Sequence, residues 1–311
     1  MTWVLVALLG YFFNAVSALF DKFLLSDRIG APAVYAFFVS LFSLFALFFI
    51  PFGFRLGEFW NSGLLIFSGM LFIYGLVAFY YAVKNHEVSR VAPLLGTVVS
   101  VVGFGAAFLP GNIGGNTLSM WSVLALVFLI LGGLLISFDL PLRSGETISK
   151  LVLIAGLFIG VSALLLKYGY GQTNFVSGVV WQRFGMFLGG FSLLLVPLFR
   201  LQIFDQLTHF SQKPGRAGST GLFFVLNKVC AGVAAFLISY ATFHGPVSFV
   251  QALAGMQYVF ILGLAVPLAF RYPTVYREKL SLWDWLQKGA AIILIGLGLW
   301  LMTTQGIKIL L

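Results

Sequence analysis

The sequence predicts an all-α integral membrane protein of ten transmembrane helices, arranged as two inverted five-helix repeats. Three observations predict it: an apolar composition, ten apolar runs of spanning length, and a set of residues that recurs between the two halves of the chain. The chain has 311 residues, 60% of them hydrophobic and 9% charged. An ordinary soluble domain is about 25% charged, so this chain carries too little polar surface to stay in water. A helix that crosses the hydrocarbon core needs about 20 mostly apolar residues. Such runs fall near 3–24, 32–53, 63–84, 88–109, 118–138, 149–169, 175–199, 219–242, 246–270 and 283–304. Lipid offers no partner for backbone N–H and C=O groups, so runs of this length must close their own hydrogen bonds as helices. The first run has no cation before Lys22 and no small-residue cleavage site after Leu19, so it is expected to be a span rather than a cleaved signal.

The chain also aligns with itself. Val16-Ser17-Ala18-Leu19 with Lys22 recurs as Val161-Ser162-Ala163-Leu164 with Lys167. Tyr81-Ala82, Val88-Ser89 and Gly96 recur in the same spacing as Tyr240-Ala241, Val247-Ser248 and Gly255. Leu118-Ser119-Met120-Trp121 matches Leu280-Ser281-Leu282-Trp283, and Pro51 and Pro197 each close the second helix of their half. These matches divide the chain into residues 1–142 and 143–311. An odd number of spans per half makes the second half enter the membrane from the opposite side. Inverted repeats about an axis in the membrane plane are typical of secondary transporters, whose halves rock about a central site. The expectation is alternating access without ATP.

Ten spans in two repeats, with Tyr81-Ala82, Pro93 to Gly96, Leu118 to Trp121 and Leu280 to Trp283, resemble the drug/metabolite transporter superfamily, EamA type, over essentially the whole chain. Where that family carries a Gly-Glu pair before the last helix of each half, this chain has Gly115-Asn116 and Arg277-Glu278. The resemblance implies export or exchange of small metabolites. It further implies a cavity between helices one to four of each half, with the fifth helices peripheral.

The net charge of +9 is uneven along the chain. Lys22, Arg28, Lys84, Arg90, Arg143, Lys150, Arg200, Lys213, Arg216, Arg271, Arg277, Lys279 and Lys288 fall on one predicted face; Arg55, Lys167 and Lys308 fall on the other. The positive-inside rule makes the first face cytoplasmic and places both termini outside, in a multi-pass protein of the plasma or inner membrane. The stretch from Arg200 to Arg216 reads as the longest loop. A single cysteine, Cys230, excludes an internal disulfide.

Charged side chains at a span centre cost roughly 2.5 to 3.5 kcal/mol on insertion scales, which marks them as functional candidates. Arg183 and Lys228 each sit about nine residues into a span, with Gln182 and Asn227 beside them and Gln251 and Gln257 on the ninth span. No carboxylate is expected at that depth. Three options stay open for the two cations: amide or carbonyl partners, a lysine that sheds its proton, or an anionic group on the substrate. The planar fork of Arg183 suits a carboxylate or phosphate. Asp21 and Lys22 lie near the end of the first span. There they read either as a solvated acid beside a snorkelling anchor or as a proton-coupling pair, with Asn14 lining the same cavity. Tyr81 and Trp181, with Tyr74 and Tyr80, read as cavity walls or as plain core. The Gly156/Gly160 and Gly185/Gly189 spacings permit close helix approach.

Several functions are not encoded in recognisable form. There is no phosphate-binding Gly-x-x-x-x-Gly-Lys-Ser/Thr loop and no nucleophile elbow, and His86, His209 and His244 are scattered. No metal, cofactor or nucleic-acid partner is expected. The expected partners are a small-molecule substrate and membrane lipids, with a homodimer left open. The reading favoured is a secondary transporter that moves a small polar metabolite outward, an amino acid or an organic anion. The alternatives are a membrane enzyme acting on lipid-linked substrates, using His86 and Glu87, and efflux of lipophilic drugs.

Overall fold

The computed structural model describes residues 2–25, 31–86, 88–105, 120–137, 146–210, 214–271 and 282–308. Glu87, Arg28, Arg143, Lys213, Arg277, Lys279 and the Leu-Ser pairs at 118–119 and 280–281 lie outside them, as do Gly115-Asn116 and Glu278. The described residues form helices joined by short turns and contain no strand. In chain order the helices are α1 (Thr2–Phe23), α2 (Pro32–Ser43), α3 (Phe59–Asn85), α4 (Val88–Gly105), α5 (Met120–Ser137) and α6 (Glu146–Tyr170). They continue with α7 (Phe175–Ser192), α8 (Pro197–Phe210), α9 (Pro214–His244), α10 (Val247–Ala252), α11 (Ala254–Arg271) and α12 (Leu282–Lys308).

Six of the helical runs are long and apolar enough to cross a membrane: Thr2–Phe23, Pro32–Phe52, Phe59–Asn85, Lys150–Tyr170, Phe175–Leu195 and Gly221–His244. Shorter apolar helices occupy Leu94–Gly103, Val123–Leu135, Phe249–Ala265 and Gly289–Gly298. By length and composition this is a multi-pass, all-α membrane protein. Its outer surface is correspondingly greasy, with Leu5, Phe45, Phe48 and Trp60 among the most exposed side chains.

Three local departures from the predicted runs have identifiable causes. The second run tightens after Ser43 into a 3-10 segment, Leu44–Phe52, which ends at Gly53 with φ +106, a conformation that costs glycine little. The seventh run stops at Leu195. Pro197 then opens α8 at a first-turn position where its missing N–H costs nothing. The segment from Arg200 that reads as loop is therefore helical as far as Phe210. The ninth run, expected to be continuous, breaks at Leu253 into α10 and α11, and Pro267 lies inside α11 rather than at its end.

Helix directions follow from the contacts. Along α1 and α9, Trp3 meets Gly245, Gly10 meets Ile238, and Phe23 meets Phe223, so the two run antiparallel. Along α3 and α6, Leu65 meets Gly169, Ser68 meets Ser162, and Gly75 meets Ile159, so these are antiparallel too. The start of α7 is tied to the turn after the 3-10 segment. The Asn174 amide donates to Gly53 O (2.7 Å) while its carbonyl oxygen caps Ser177 N (2.8 Å), and Ser177 Oγ accepts from Arg55 N (2.7 Å).

In lipid there is no hydrophobic drive for helices to associate, so packing depends on small residues that let backbones approach. The glycine spacings act in this way. Gly156 and Gly160 receive Val98 and Val102 of α4, while Gly185 and Gly189 face Ile66 and Met70 of α3. The tightest crossing is α3 on α7: a Cβ on Gly69 would lie 2.0 Å from Gln182 O, and one on Gly185 2.1 Å from Ile66 O. Both are backbone atoms that no rotamer change can move. Gly69→Ala and Gly185→Ala are each expected to lower stability by about 1–3 kcal/mol or more. Gly63→Ala, on the same helix α3 with open space around it, should be neutral or slightly stabilising. Thermal unfolding in detergent checks this, and equal midpoints for all three variants would contradict the packing described.

Candidate functional site

A cavity of about 250 Å³ lies between α1, α2, α3, α4, α6, α7, α9, α10 and α11. Among the described residues α5 and α12 supply none of its lining; they pack on each other, Gly132 against Ile295 and the Gln287 amide donating to Leu135 O. Much of the wall is apolar, and its polar groups form three clusters.

The first cluster joins α1, α2 and α9. The Asp21 carboxylate, 6% exposed, accepts at Oδ1 from the Tyr35 hydroxyl, from Asn227 Nδ2 (2.6 Å) and from Lys228 Nζ (3.4 Å). Asn227 Nδ2 also reaches the Tyr35 hydroxyl oxygen at 2.7 Å. The Lys228 ammonium stands 4.5 Å from the centroid of the Tyr35 ring and 5.2 Å from that of Phe224. The expectation that no carboxylate reaches the depth of Lys228 is therefore wrong. Its error lies in counting depth from helix ends. Helix α9 has 31 residues and overshoots the C-terminal end of α1, so Asp21, in the last turn of α1, meets the middle of α9. Asp21 is buried rather than solvated.

The second cluster surrounds Arg183. Its Nη1 lies 3.0 Å from Met186 Sδ, a weak acceptor, and its carbonyl accepts from Ser43 Oγ at 2.9 Å. The neighbouring Gln182 is 5% exposed and approaches Ser68 Oγ at 3.4 Å, while Ser68 donates to Ser162 O at 2.9 Å. This polar chain crosses α7, α3 and α6.

The third cluster is the break between α10 and α11. A turn at Leu253 interrupts the helix just past the carbonyls of Val250 and Gln251. Both carbonyls find side chains from other helices: Tyr11 OH donates to Val250 O (2.8 Å) and Ser100 Oγ to Gln251 O (3.1 Å). Asn14 Nδ2 donates to Gln257 Oε1 at 2.9 Å just beyond the break. Non-helical backbone at membrane depth persists where protein covers it or where it lines a cavity, and here it does both.

Of the residues singled out in the sequence, Asn14, Asp21, Gln182, Arg183, Lys228, Gln251 and Gln257 line this one cavity. Four do not. Asn227 is fully buried behind Asp21. Tyr81 faces away, its place on the wall taken by Tyr80, one residue and about 100° around the helix. Trp181 packs on Phe54 and donates to Leu56 O at 3.3 Å, so it closes the α7 entrance turn rather than a cavity wall. Lys22, expected as a partner of Asp21, points elsewhere: its ammonium donates to Val83 O (2.8 Å), Lys84 O (3.4 Å) and His86 O (2.9 Å) at the C-terminal end of α3. Lys167 makes the matching set with Thr242 O (2.8 Å), Phe243 O (3.1 Å) and Gly245 O (2.9 Å) at the end of α9. Each lysine neutralises the free carbonyls and negative pole of a helix end.

The wall residues that the sequence did not single out include Tyr11 and Tyr258. A signal for Tyr258 existed in the recurring Gly96, because a Cβ there would overlap the Tyr258 hydroxyl. Among the described residues no three His, Cys, Asp or Glu side chains group as metal ligands. Comparison with known proteins finds no family model that matches the chain and no match among curated proteins.

The two lysine caps generate a prediction. Lys22→Met and Lys167→Met keep the apolar stem and remove the ammonium, and each is expected to cost about 1.5–3 kcal/mol. Their effects should add, because the caps share no partner. Thermal unfolding of both single variants and the double checks this; one silent lysine would contradict equivalent roles.

Proposed function

We propose that this chain is a secondary transporter that carries a small polar metabolite across the cell membrane by alternating access, outward, with the central cavity as its substrate site. The observation that carries the reading is the cavity at the interrupted helix. A largely apolar chamber that holds three charged side chains deep among apolar helices, beside a broken helix, fits the arrangement by which carriers bind solutes at the midplane. Its volume of about 250 Å³ lies near the lower end of ligand pockets, roughly 300–1,000 Å³, which suits a solute of amino-acid size better than a large lipophilic drug.

Helix directions support a ten-span, inverted-repeat organisation. Lys22, at the C-terminal end of α1, reaches the C-terminal end of α3, and Lys167 relates α6 to α9 in the same way. Since α1 runs antiparallel to α9 and α3 to α6, α1 and α6 point in opposite directions. The three carbonyls held by Lys22 and the three held by Lys167 stand at the same offset as Tyr81-Ala82 and Tyr240-Ala241. The proposed division at 142/143 and the resemblance to EamA-type transporters rest on the same pattern.

In this mechanism the α1/α9 pair, joined by Asp21 and Lys228, and the α3/α6 pair, joined by Ser68 and Ser162, flank the substrate and tilt against each other. The lysine caps tie the two pairs at their ends and act as pivots. Helices α5 and α12 stay at the periphery.

Counterflow tests the proposal. The purified chain is reconstituted into liposomes loaded in separate batches with unlabelled amino acids, organic acids, sugars or sugar phosphates. Uptake of the matching tracer should exceed that of protein-free liposomes for at least one class, and should saturate. Absence of exchange for every class, or flux that rises linearly with concentration, would contradict a carrier.

A further inference from the structure

We infer that the substrate is a monoanion with an apolar body, a monocarboxylate, held by Arg183; the inference rests on the cavity being the transport site. Among the described residues three charged side chains line the cavity: Asp21, Lys228 and Arg183. The first two neutralise each other. Lys228 has its counter-ion at 3.4 Å and two aromatic faces beside it, and its partner Asp21 also takes donors from Tyr35 and Asn227. That leaves one uncompensated positive charge in the lining. The side-chain contact of Arg183 is a thioether sulfur at 3.0 Å, and a sulfur does not balance a guanidinium charge. A bound group bearing one negative charge brings the chamber to neutrality, and a carboxylate matches the guanidinium fork with two parallel hydrogen bonds.

The rest of the lining narrows the class. A zwitterionic amino acid brings no net charge and so leaves the charge of Arg183 uncompensated, and Asp21, the one carboxylate among the described lining residues, is already committed to Lys228. A sugar phosphate brings two negative charges and many hydroxyls to a wall that includes Phe72, Leu76, Leu95, Val99 and Leu166. An uncharged or cationic solute leaves Arg183 unbalanced in a low-dielectric chamber. A carboxylate on an aliphatic or aromatic body satisfies both the charge and the apolar walls.

The test measures binding to the purified chain in detergent, by thermal shift and by intrinsic tryptophan fluorescence. The probes are octanoate, phenylacetate and benzoate, each with its amide and amine, together with phenylalanine and glucose 6-phosphate. At least one carboxylate should bind saturably, and at least about tenfold more tightly than its amide, its amine or either of the other two compounds. Arg183→Gln should weaken that carboxylate by about tenfold or more, and Arg183→Lys, which keeps the charge and loses the fork, by less. If both variants fail to fold, the selectivity of the wild-type chain decides alone. The inference is overturned if no carboxylate binds, if an amide, amine, amino acid or sugar phosphate binds equally well, or if Arg183→Gln binds like wild type. Failure of the transport reading looks different: monocarboxylates then bind through Arg183 but do not exchange across liposomes. Exchange of neutral or zwitterionic tracers unaffected by Arg183→Gln would keep the carrier and remove the anion site.

Discussion

Asp21 and Lys228 meet inside the bundle, 6% and 9% exposed, with little contact to solvent. On insertion scales each alone costs roughly 2.5 to 3.5 kcal/mol at the centre of a span, and removal of one partner of a buried pair leaves the other uncompensated. Together with Tyr35 and Asn227 they form one hydrogen-bonded set centred on Asp21 Oδ1. Three helices depend on that set, since α1, α2 and α9 converge on one carboxylate oxygen. The charge of the cavity depends on it as well. With Lys228 neutralised, Arg183 alone gives the chamber its sign.

The same need to satisfy every polar group shapes the backbone. At the α10/α11 turn, Tyr11 and Ser100 reach in from α1 and α4 to the carbonyls of Val250 and Gln251. Where α3 and α9 end, Lys22 and Lys167 cover the last carbonyls. Packing is not equal on the two sides of the cavity. Gly69 lets α3 lie on the backbone of α7, whereas the residue aligned with it in the second half is Lys228. On that side Phe224 separates α9 from α2, its ring 5.4 Å from Tyr35, 6.0 Å from Phe38 and 5.3 Å from Phe42. One crossing is made by glycine, the other by aromatic rings and the Asn227–Tyr35 hydrogen bond.

Much of this was legible in the sequence because hydropathy and small-residue spacing report directly on what lipid allows. The described parts of the apolar runs are mostly helical, and Lys22 and Lys167 were visible as a recurring pair before their matching caps gave them a reason to recur. Seven of the proposed site residues share one cavity because polar side chains inside spans have few other places to go. What was not legible depends on relations between helices. The partner of Lys228 was hidden because depth counted along each run assumes helix ends at a common level, and α9 overshoots α1. The break at Leu253 was hidden because no proline or glycine stands at the turn itself; the compensating donors come from Tyr11 and Ser100, far away in the chain. Tyr74, Tyr80 and Tyr81 were named together and only Tyr80 lines the wall, since hydropathy alone leaves a helix free to rotate by one residue.

The central claim is that Asp21 and Lys228 form one neutral unit, and a double-mutant cycle tests it most directly. Thermal unfolding of the purified chain would be measured for wild type, Asp21→Asn, Lys228→Met and the double variant. Each single change is expected to cost about 3–5 kcal/mol because it leaves a buried charge or its donors unmatched. The double variant should lose less than the sum of the two single losses, by a coupling of about 1–3 kcal/mol. Additive losses, or single variants as stable as wild type, would show that the two residues do not balance each other, and the charge assigned to the cavity would be wrong.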